Sequence, residues 1–339
     1  MYNTQKVLRF CMTESGCRMK TAVLYNSNAG KGLPPDLVLS RLASFFSGDE
    51  LLVTMEELDV VGLPTRLVEV PENDGSYLGV LTARVKALAD AGAERFVSVG
   101  GDGTATYVVT ILNRLGLDLP ILGVAAGTAN VGPVVSLTLE QLQGRSISQA
   151  CEKRFDGIQV ILGGEIVSLA FNDVIIGDTF LATVDGKTCN VSAPALLRGE
   201  GIVPQKPRED LILDTFCVER NGKEIHPAPG KIRQVVITSL AGESHYGRAV
   251  YGPLCSCDWT ERKGVIALCD HIAVSMEADA GIHDFSTMQY LLFGSADHVT
   301  LRGFAPGACV ICDGNPYFLS GDEMELRYIP ELVRTITIQ

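Results

Sequence analysis

The densest cluster of chemistry-bearing residue types is Gly100-Gly101-Asp102-Gly103-Thr104. It stands where a short apolar run, Arg95 to Val99, gives way to a segment with helical spacing. Glycines let a chain turn tightly and leave its amides uncovered, and the first turn of a helix adds unpaired N–H groups at the positive end of the dipole. Such a corner accepts phosphate. A carboxylate inside an anion site repels the ligand unless it holds a metal ion that bridges phosphates or takes the proton of an attacking hydroxyl. Asp102 therefore points to phosphoryl transfer. The same residues also suit a plain glycine-rich turn with Asp102 as the helix cap.

A second glycine-bearing loop, Asn26 to Gly32 (NSNAGKG), follows the first apolar run of the chain. It is not a Walker loop, because Lys31 is followed by Gly32 instead of Ser or Thr and no glycine stands five residues before Gly30. Nor is GGDGT a dinucleotide fingerprint, which needs glycine where Thr106 stands. Both loops follow strands of one sheet, so both can face one ligand at its carboxyl edge. Other clusters carry less. Cys255 and Cys257 with Cys269 and His271 are spaced one residue short of a zinc knuckle. Cys309 and Cys312 lie in the apolar run ACVIC, where strand alternation sends them to opposite faces.

The elements that position these loops follow from hydrophobic periodicity. From Lys20 the chain alternates short apolar runs with helical spacing, the pattern of a parallel sheet covered by helices. Strands are expected at 21–25, 66–70, 95–99 and 120–125, with helices at 35–46, 76–91 and from GGDGT to Leu115. Beyond about residue 150 the helical period fades. Turn dipeptides Gly163-Gly164, Asp185-Gly186 and Asn221-Gly222 then separate strand-like runs. More strands are expected at 232–239, 264–275, 287–293, 298–302, 308–312, 323–328 and 334–338. The fold class is α/β plus all-β: an extension at 1–18 that fits no element and is expected to be disordered, an α/β phosphate-donor domain at 19–150, and an antiparallel β-sandwich acceptor domain at 151–339. The last segment, from about 315, is expected to pack back on the first domain.

Composition narrows the partners. Lys and Arg number 28 against 40 Asp and Glu, a formal charge of -12, and so acidic a surface repels nucleic acid and anionic membranes. Residues 119–139 are uncharged for long enough to span a bilayer, but Pro120, Asn130 and Pro133 would leave backbone groups unpaired in lipid. The N-terminus has no basic stretch leading into an apolar run, so a cytoplasmic location and ten reduced thiols are expected.

GGDGT after an apolar strand, GVAAGTANVG at 123–132 and NSNAGKG after the first strand resemble the superfamily of NAD kinases and diacylglycerol or sphingoid lipid kinases. Asn172-Asp173 resembles the Asn-Glu pair with which NAD kinases hold their dinucleotide. Residues 237–253 are similar to the TPTGSTAY segment of those enzymes, with Gly242, Ser244, Tyr246 and Pro253 in register, while Leu240, Glu243 and His245 depart from it. Asp313-Gly314 and Gly321-Asp322 resemble the closing DG and GD turns of the family. Where the lipid kinases carry an aspartate after Asn130 this chain has Val131, so the likeness favours NAD kinase, nearest the branch that includes acetoin catabolism protein X. The resemblance implies a kinase using ATP and Mg2+, with the ligand cleft between two domains, a small-molecule acceptor such as NAD, and assembly as a homo-oligomer. It implies Asp102 as the base, and Asn26, Lys31, Gly100, Gly101, Gly103, Thr104, Gly127 and Thr128 around the phosphates. Asn130, Asn172, Asp173, Ser244 and Tyr246 are implied around the acceptor. A lipid kinase, or a nucleotide sensor that has lost turnover, would carry much of the same pattern.

Overall fold

The computed structural model describes residues 18–27, 29, 32–58, 60–126, 132–184, 187–240, 263–276, 286–319 and 321–338. The chain divides into two compact units. One holds residues 1–130, 134–154 and 333–339, and the other holds 131–133 and 155–332.

The first unit is a doubly wound parallel sheet. Its elements are β1 (Lys20–Tyr25), α1 (Pro35–Phe45), β2 (Glu50–Val53), β3 (Thr65–Leu67), α2 (Tyr77–Asp90), β4 (Arg95–Gly100), α3 (Asp102–Arg114), β5 (Ile121–Ala125) and β6 (Val135–Thr138). The strand order is β3-β2-β1-β4-β5, with β6 also paired to β5. All these neighbours run parallel, with Val23 opposite Val97 and Val97 opposite Leu122. Strands buried on both faces read as unbroken apolar runs, and β4 is buried at every position. Val23, Val97 and Leu122 share a core with Val38, Leu39, Leu42 and Phe45 of α1.

Strands β2 and β6 were not among those expected from the hydrophobic pattern. Residues 50–53 (ELLV) form β2, a run of four whose period cannot be told from the end of the preceding helix. The strand expected at 66–70 is instead the short exposed β3, Thr65–Leu67. The uncharged stretch 119–139 contains β5 and β6. Among the described residues no helix is long and apolar enough to cross a membrane.

The second unit is an antiparallel sandwich. Its strands are β7 (Ala150–Leu162), which begins in the first unit, β8 (Glu165–Ala170), β9 (Val174–Gly177), β10 (Thr179–Val184) and β11 (Lys187–Ser192). After α4 (Ala193–Leu197) come β12 (Ile212–Arg220), β13 (Lys223–Ile225), β14 (Gln234–Leu240), β15 (Lys263–Cys269) and β16 (Met288–Phe293). The chain closes with β17 (Val299–Phe304), β18 (Cys309–Cys312), β19 (Asn315–Phe318) and β20 (Glu323–Ile338). One sheet runs β13-β12-β17-β20 and continues through β7 and β8; the other runs β16-β15-β14-β9-β18-β19. Between them lies one core that includes Val160, Ile176, Phe216, Val235, Leu301 and Val310.

The strand expected to run to residue 275 stops at Cys269, because Asp270 turns the chain. Its carboxylate accepts from the Thr287 N–H at 2.6 Å and the Thr287 hydroxyl at 2.8 Å. Conversely, the strands expected at 323–328 and 334–338 are one strand with a kink at Pro330-Glu331. Glu331 is left-handed there, with φ 55°. Its amide donates to buried Asp156 at 2.8 Å, and the Tyr328 hydroxyl donates to the same carboxylate. Beyond the kink, residues 333–339 belong to the first unit, where Thr335 pairs with Ile121 of β5.

Candidate active site

The order β3-β2-β1-β4-β5 reverses between β1 and β4, so the loops leaving those two strands flank the switch point of the sheet, where open α/β folds bind ligands. Asn26 leaves β1. Its N–H donates to the Val99 carbonyl at 3.0 Å, and its side-chain amide donates to the Thr104 hydroxyl at 2.9 Å. A loop residue named from one motif is thus tied to the helix that carries the other. From the far side, the Ala126 N–H donates to the Gly100 carbonyl at 2.8 Å, which brings the end of β5 to the same edge.

Gly100 ends β4, Gly101 caps α3, and Asp102, Gly103 and Thr104 form its first turn. The glycines serve close approach more than left-handed turning. Gly101 is extended at φ -104° and ψ -179°. A Cβ at Gly100 would stand 3.0 Å from the Thr104 hydroxyl, so a side chain here would push that threonine away. The residue at the cap position is Gly101 and not Asp102. Asp102 sits one position further in, half-buried, in the first turn at the positive end of the helix dipole.

Tyr77 is a neighbour that the sequence did not single out. It opens α2, and its ring meets that of Tyr107 edge-on at 6.0 Å. Although 54 % of the residue's surface is open, its hydroxyl end is turned inward. Desolvation there raises the phenol above its ordinary value, with the nearby Thr104 hydroxyl opposing the rise. The only hint in the sequence is Ser76, whose hydroxyl accepts from the Gly79 N–H at 3.0 Å and starts the helix.

In the second unit Asn172 is buried and Asp173 half-buried at the entry to β9. The Asn172 amide donates to the Asp173 carboxylate at 2.8 Å, so the two side chains form one unit that presents both an amide and a carboxylate. Thr238 of β14 donates to the Asn172 carbonyl at 2.5 Å. Lys31, Gly127, Thr128, Asn130, Ser244 and Tyr246 lie outside the described residues, as do Cys255 and Cys257 of the cysteine cluster.

Among the described residues no group of three or more His, Cys, Asp and Glu gathers to hold a metal. Asp102 is the one carboxylate among the described residues of the two glycine-bearing loops, a donor set that would suit Mg2+ carried in on phosphates better than a resident ion. Cys269 is buried and its thiol is pushed up to about 12, chiefly by desolvation. Cys309 and Cys312 fall into two different apolar clusters, on opposite faces of β18, as strand alternation requires.

Residues 54–144 match the family described as the ATP-NAD kinase N-terminal domain. An uncharacterized protein of Archaeoglobus fulgidus is 28% identical over 305 residues, covering 88% of this chain and 92% of that protein. An NAD kinase of Methanosarcina mazei is 25% identical over 214 residues, 61% of this chain and 63% of the other. A crystal structure of a putative diacylglycerol kinase from Bacillus anthracis shares the fold, with TM-score 0.52 at 14% identity over 94% of this chain and 96% of that one. The match of residues 54–144 to this family and the likeness to an NAD kinase support a kinase, a phosphotransferase with an alcohol group as acceptor. By sequence the chain is similar to NAD kinases over residues 54–144, and by fold it is similar to a putative diacylglycerol kinase.

Proposed function

We propose that the protein is an ATP-dependent kinase of the NAD kinase type that phosphorylates a ribose hydroxyl of NAD or a closely related dinucleotide. The observation that carries this reading is the tie between Asn26 and Thr104 across the switch point, which joins the two glycine-bearing loops beside Asp102. The match of residues 54–144 to an ATP-NAD kinase domain supports ATP as donor. In this reading the amides of Gly100 to Thr104 and the start of α3 face the phosphates, with Asn26 fixing the loop. Lys31, Gly127 and Thr128 add donors around the triphosphate. Asp102 takes the proton of the acceptor hydroxyl as that oxygen attacks the γ-phosphorus and ADP leaves. Mg2+ bound with ATP would supply neutralisation of the phosphate charge beside Asp102. Asn172 and Asp173 hold the acceptor's hydroxyl and amide groups, together with Asn130, Ser244 and Tyr246.

The structural likeness to a putative diacylglycerol kinase favours one second reading, a lipid acceptor on the same donor site. A single assay separates them: purified protein with ATP and Mg2+, scored for ADP with NAD, NADH, diacylglycerol or no acceptor. Turnover is expected with a dinucleotide and is expected to fall by about a hundredfold or more in Asp102→Asn, since a general base contributes at least that much. ADP formed with diacylglycerol alone would transfer the assignment to the lipid reading. NAD binding without ADP from any acceptor would make the protein a sensor.

A further inference from the structure

Phe171, Asn172 and Asp173 precede β9 with their three consecutive amides turned to one carboxylate. Asp313 accepts from the Phe171 N–H at 2.8 Å through one oxygen, and from the Asn172 and Asp173 N–H groups at 2.9 and 3.0 Å through the other. In return the Asp313 N–H donates to the Asp173 carbonyl at 3.0 Å. Successive amides of this kind form an anion nest, and hydrogen bonds to an ionised acceptor are roughly twice as strong as neutral ones.

The topology explains how a residue so distant in sequence arrives there. β18 pairs antiparallel with β9, Cys312 opposite Val174, so the turn after β18 stands beside the loop before β9. That turn is Asp313-Gly314, with φ 48° and 84°, the left-handed pair that a two-residue hairpin needs. Asp313 is 8% exposed, and the Thr238 hydroxyl donates to the Asn172 carbonyl of the same loop. The backbone under the Asn172–Asp173 pair is therefore fixed from β18 and from β14, while the two side chains bond each other.

We infer that Asp313 is the positioning residue of the acceptor pair, setting the direction of the Asn172 and Asp173 side chains through their own backbone amides. This rests on the acceptor role proposed above for that pair. Asp313 itself makes no contact with the acceptor.

The test uses the full chain and NAD as probe, with titration calorimetry read beside turnover. Asp313→Asn keeps the size of the side chain and suits a left-handed turn, but places an N–H donor against one of the three amides. NAD affinity and the acceptor KM are expected to weaken about tenfold, with the KM for ATP within about twofold of wild type, the cost of one unmade buried hydrogen bond. Amide exchange at 171–173 is expected to quicken while exchange across β14 and β15 stays slow. A role confined to stability would instead lower the melting temperature and the active fraction and leave both KM values in place, and that result overturns the inference. So does quickened exchange with unchanged NAD affinity. Asp313→Ala provides the second variant: equal NAD affinity in wild type and in both variants sinks the idea. If wild type phosphorylates no dinucleotide yet binds NAD, the kinase reading fails alone, and the affinity comparison still decides the role of Asp313. Should wild type fail to bind NAD, the acceptor role of the pair falls, and this inference with it.

Discussion

A single hydroxyl and a single amide decide whether the two glycine-bearing loops act as one site. Thr104 is buried in the first turn of α3 and receives the Asn26 amide, so its hydroxyl fixes both the loop after β1 and the helix start beside Asp102. Thr104→Val preserves the shape and removes the acceptor. The lost bond is worth about 1 kcal/mol, roughly fivefold in KM for ATP, with the NAD KM little changed. Steady-state kinetics with each substrate varied checks this, and an unchanged ATP KM would remove the tie from the donor site. Burial also decides which cysteines matter. Cys309 is pushed up to about 11 and Cys312 well above the ordinary thiol, both chiefly by desolvation, so the CxxC run is core and not a redox pair.

Elements position these residues through contacts that tolerate little change. At Gly123, in β5, an added Cβ would stand 2.1 Å from the Val134 carbonyl oxygen and 2.6 Å from the Val135 Cα, where β6 crosses closely and the β5–β6 register shifts. The obstacle is backbone, which cannot swing aside as a side chain does. Gly123→Ala is therefore expected to destabilise the chain by about 3 kcal/mol or more. Urea unfolding measures it, and a loss below about 1 kcal/mol would mean that β6 moves freely. The same strand is the one whose end, at Ala126, bonds Gly100, so a surviving variant should also bind ATP more weakly. Helices α1, α2 and α3 were legible because their apolar stripes repeat over three or four turns and their ends carry Ser76, Gly92 and Gly116. Short β2 offered three apolar residues in a row and no period. The kink in β20 looked like a gap between two strands, because Pro330 interrupts the alternation while Asp156, far away in sequence, holds Glu331 in place.

At the scale of the whole molecule, buried carboxylates set how stability responds to pH. Asp178 is 2% exposed between β9 and β10; desolvation raises its pKa above the ordinary 3.8, against the opposing Arg208 N–H and the Gln205 amide. Asp49 is raised in the same way by burial, with Thr21 and Arg95 opposing. A carboxyl that keeps its proton longer in the folded chain contributes most stability below the ordinary carboxylate range. That contribution is lost as pH rises through the raised folded value. Asp178→Asn removes this dependence, so the variant should gain on wild type as pH rises from about 4 to about 7, whatever its stability at one pH. Urea midpoints at the two pH values measure the slope, and a flat difference would show that Asp178 ionises as freely folded as unfolded.

By itself the sequence determined what is local. A strand, three glycines and a carboxylate leading into a helix specify a phosphate corner within a few residues, because backbone geometry and the helix start are properties of neighbours in the chain. The class of each half followed from its period, since apolar spacing reports which face an element buries. Tertiary structure alone decided what depends on partners far along the chain: Asn26 reaching Thr104, 78 positions away, and Asp313 gathering three amides some 140 positions away. No local pattern encodes such pairings. They exist because strand order brings the carboxyl ends of β1 and β4 side by side and sets the turn after β18 against the start of β9.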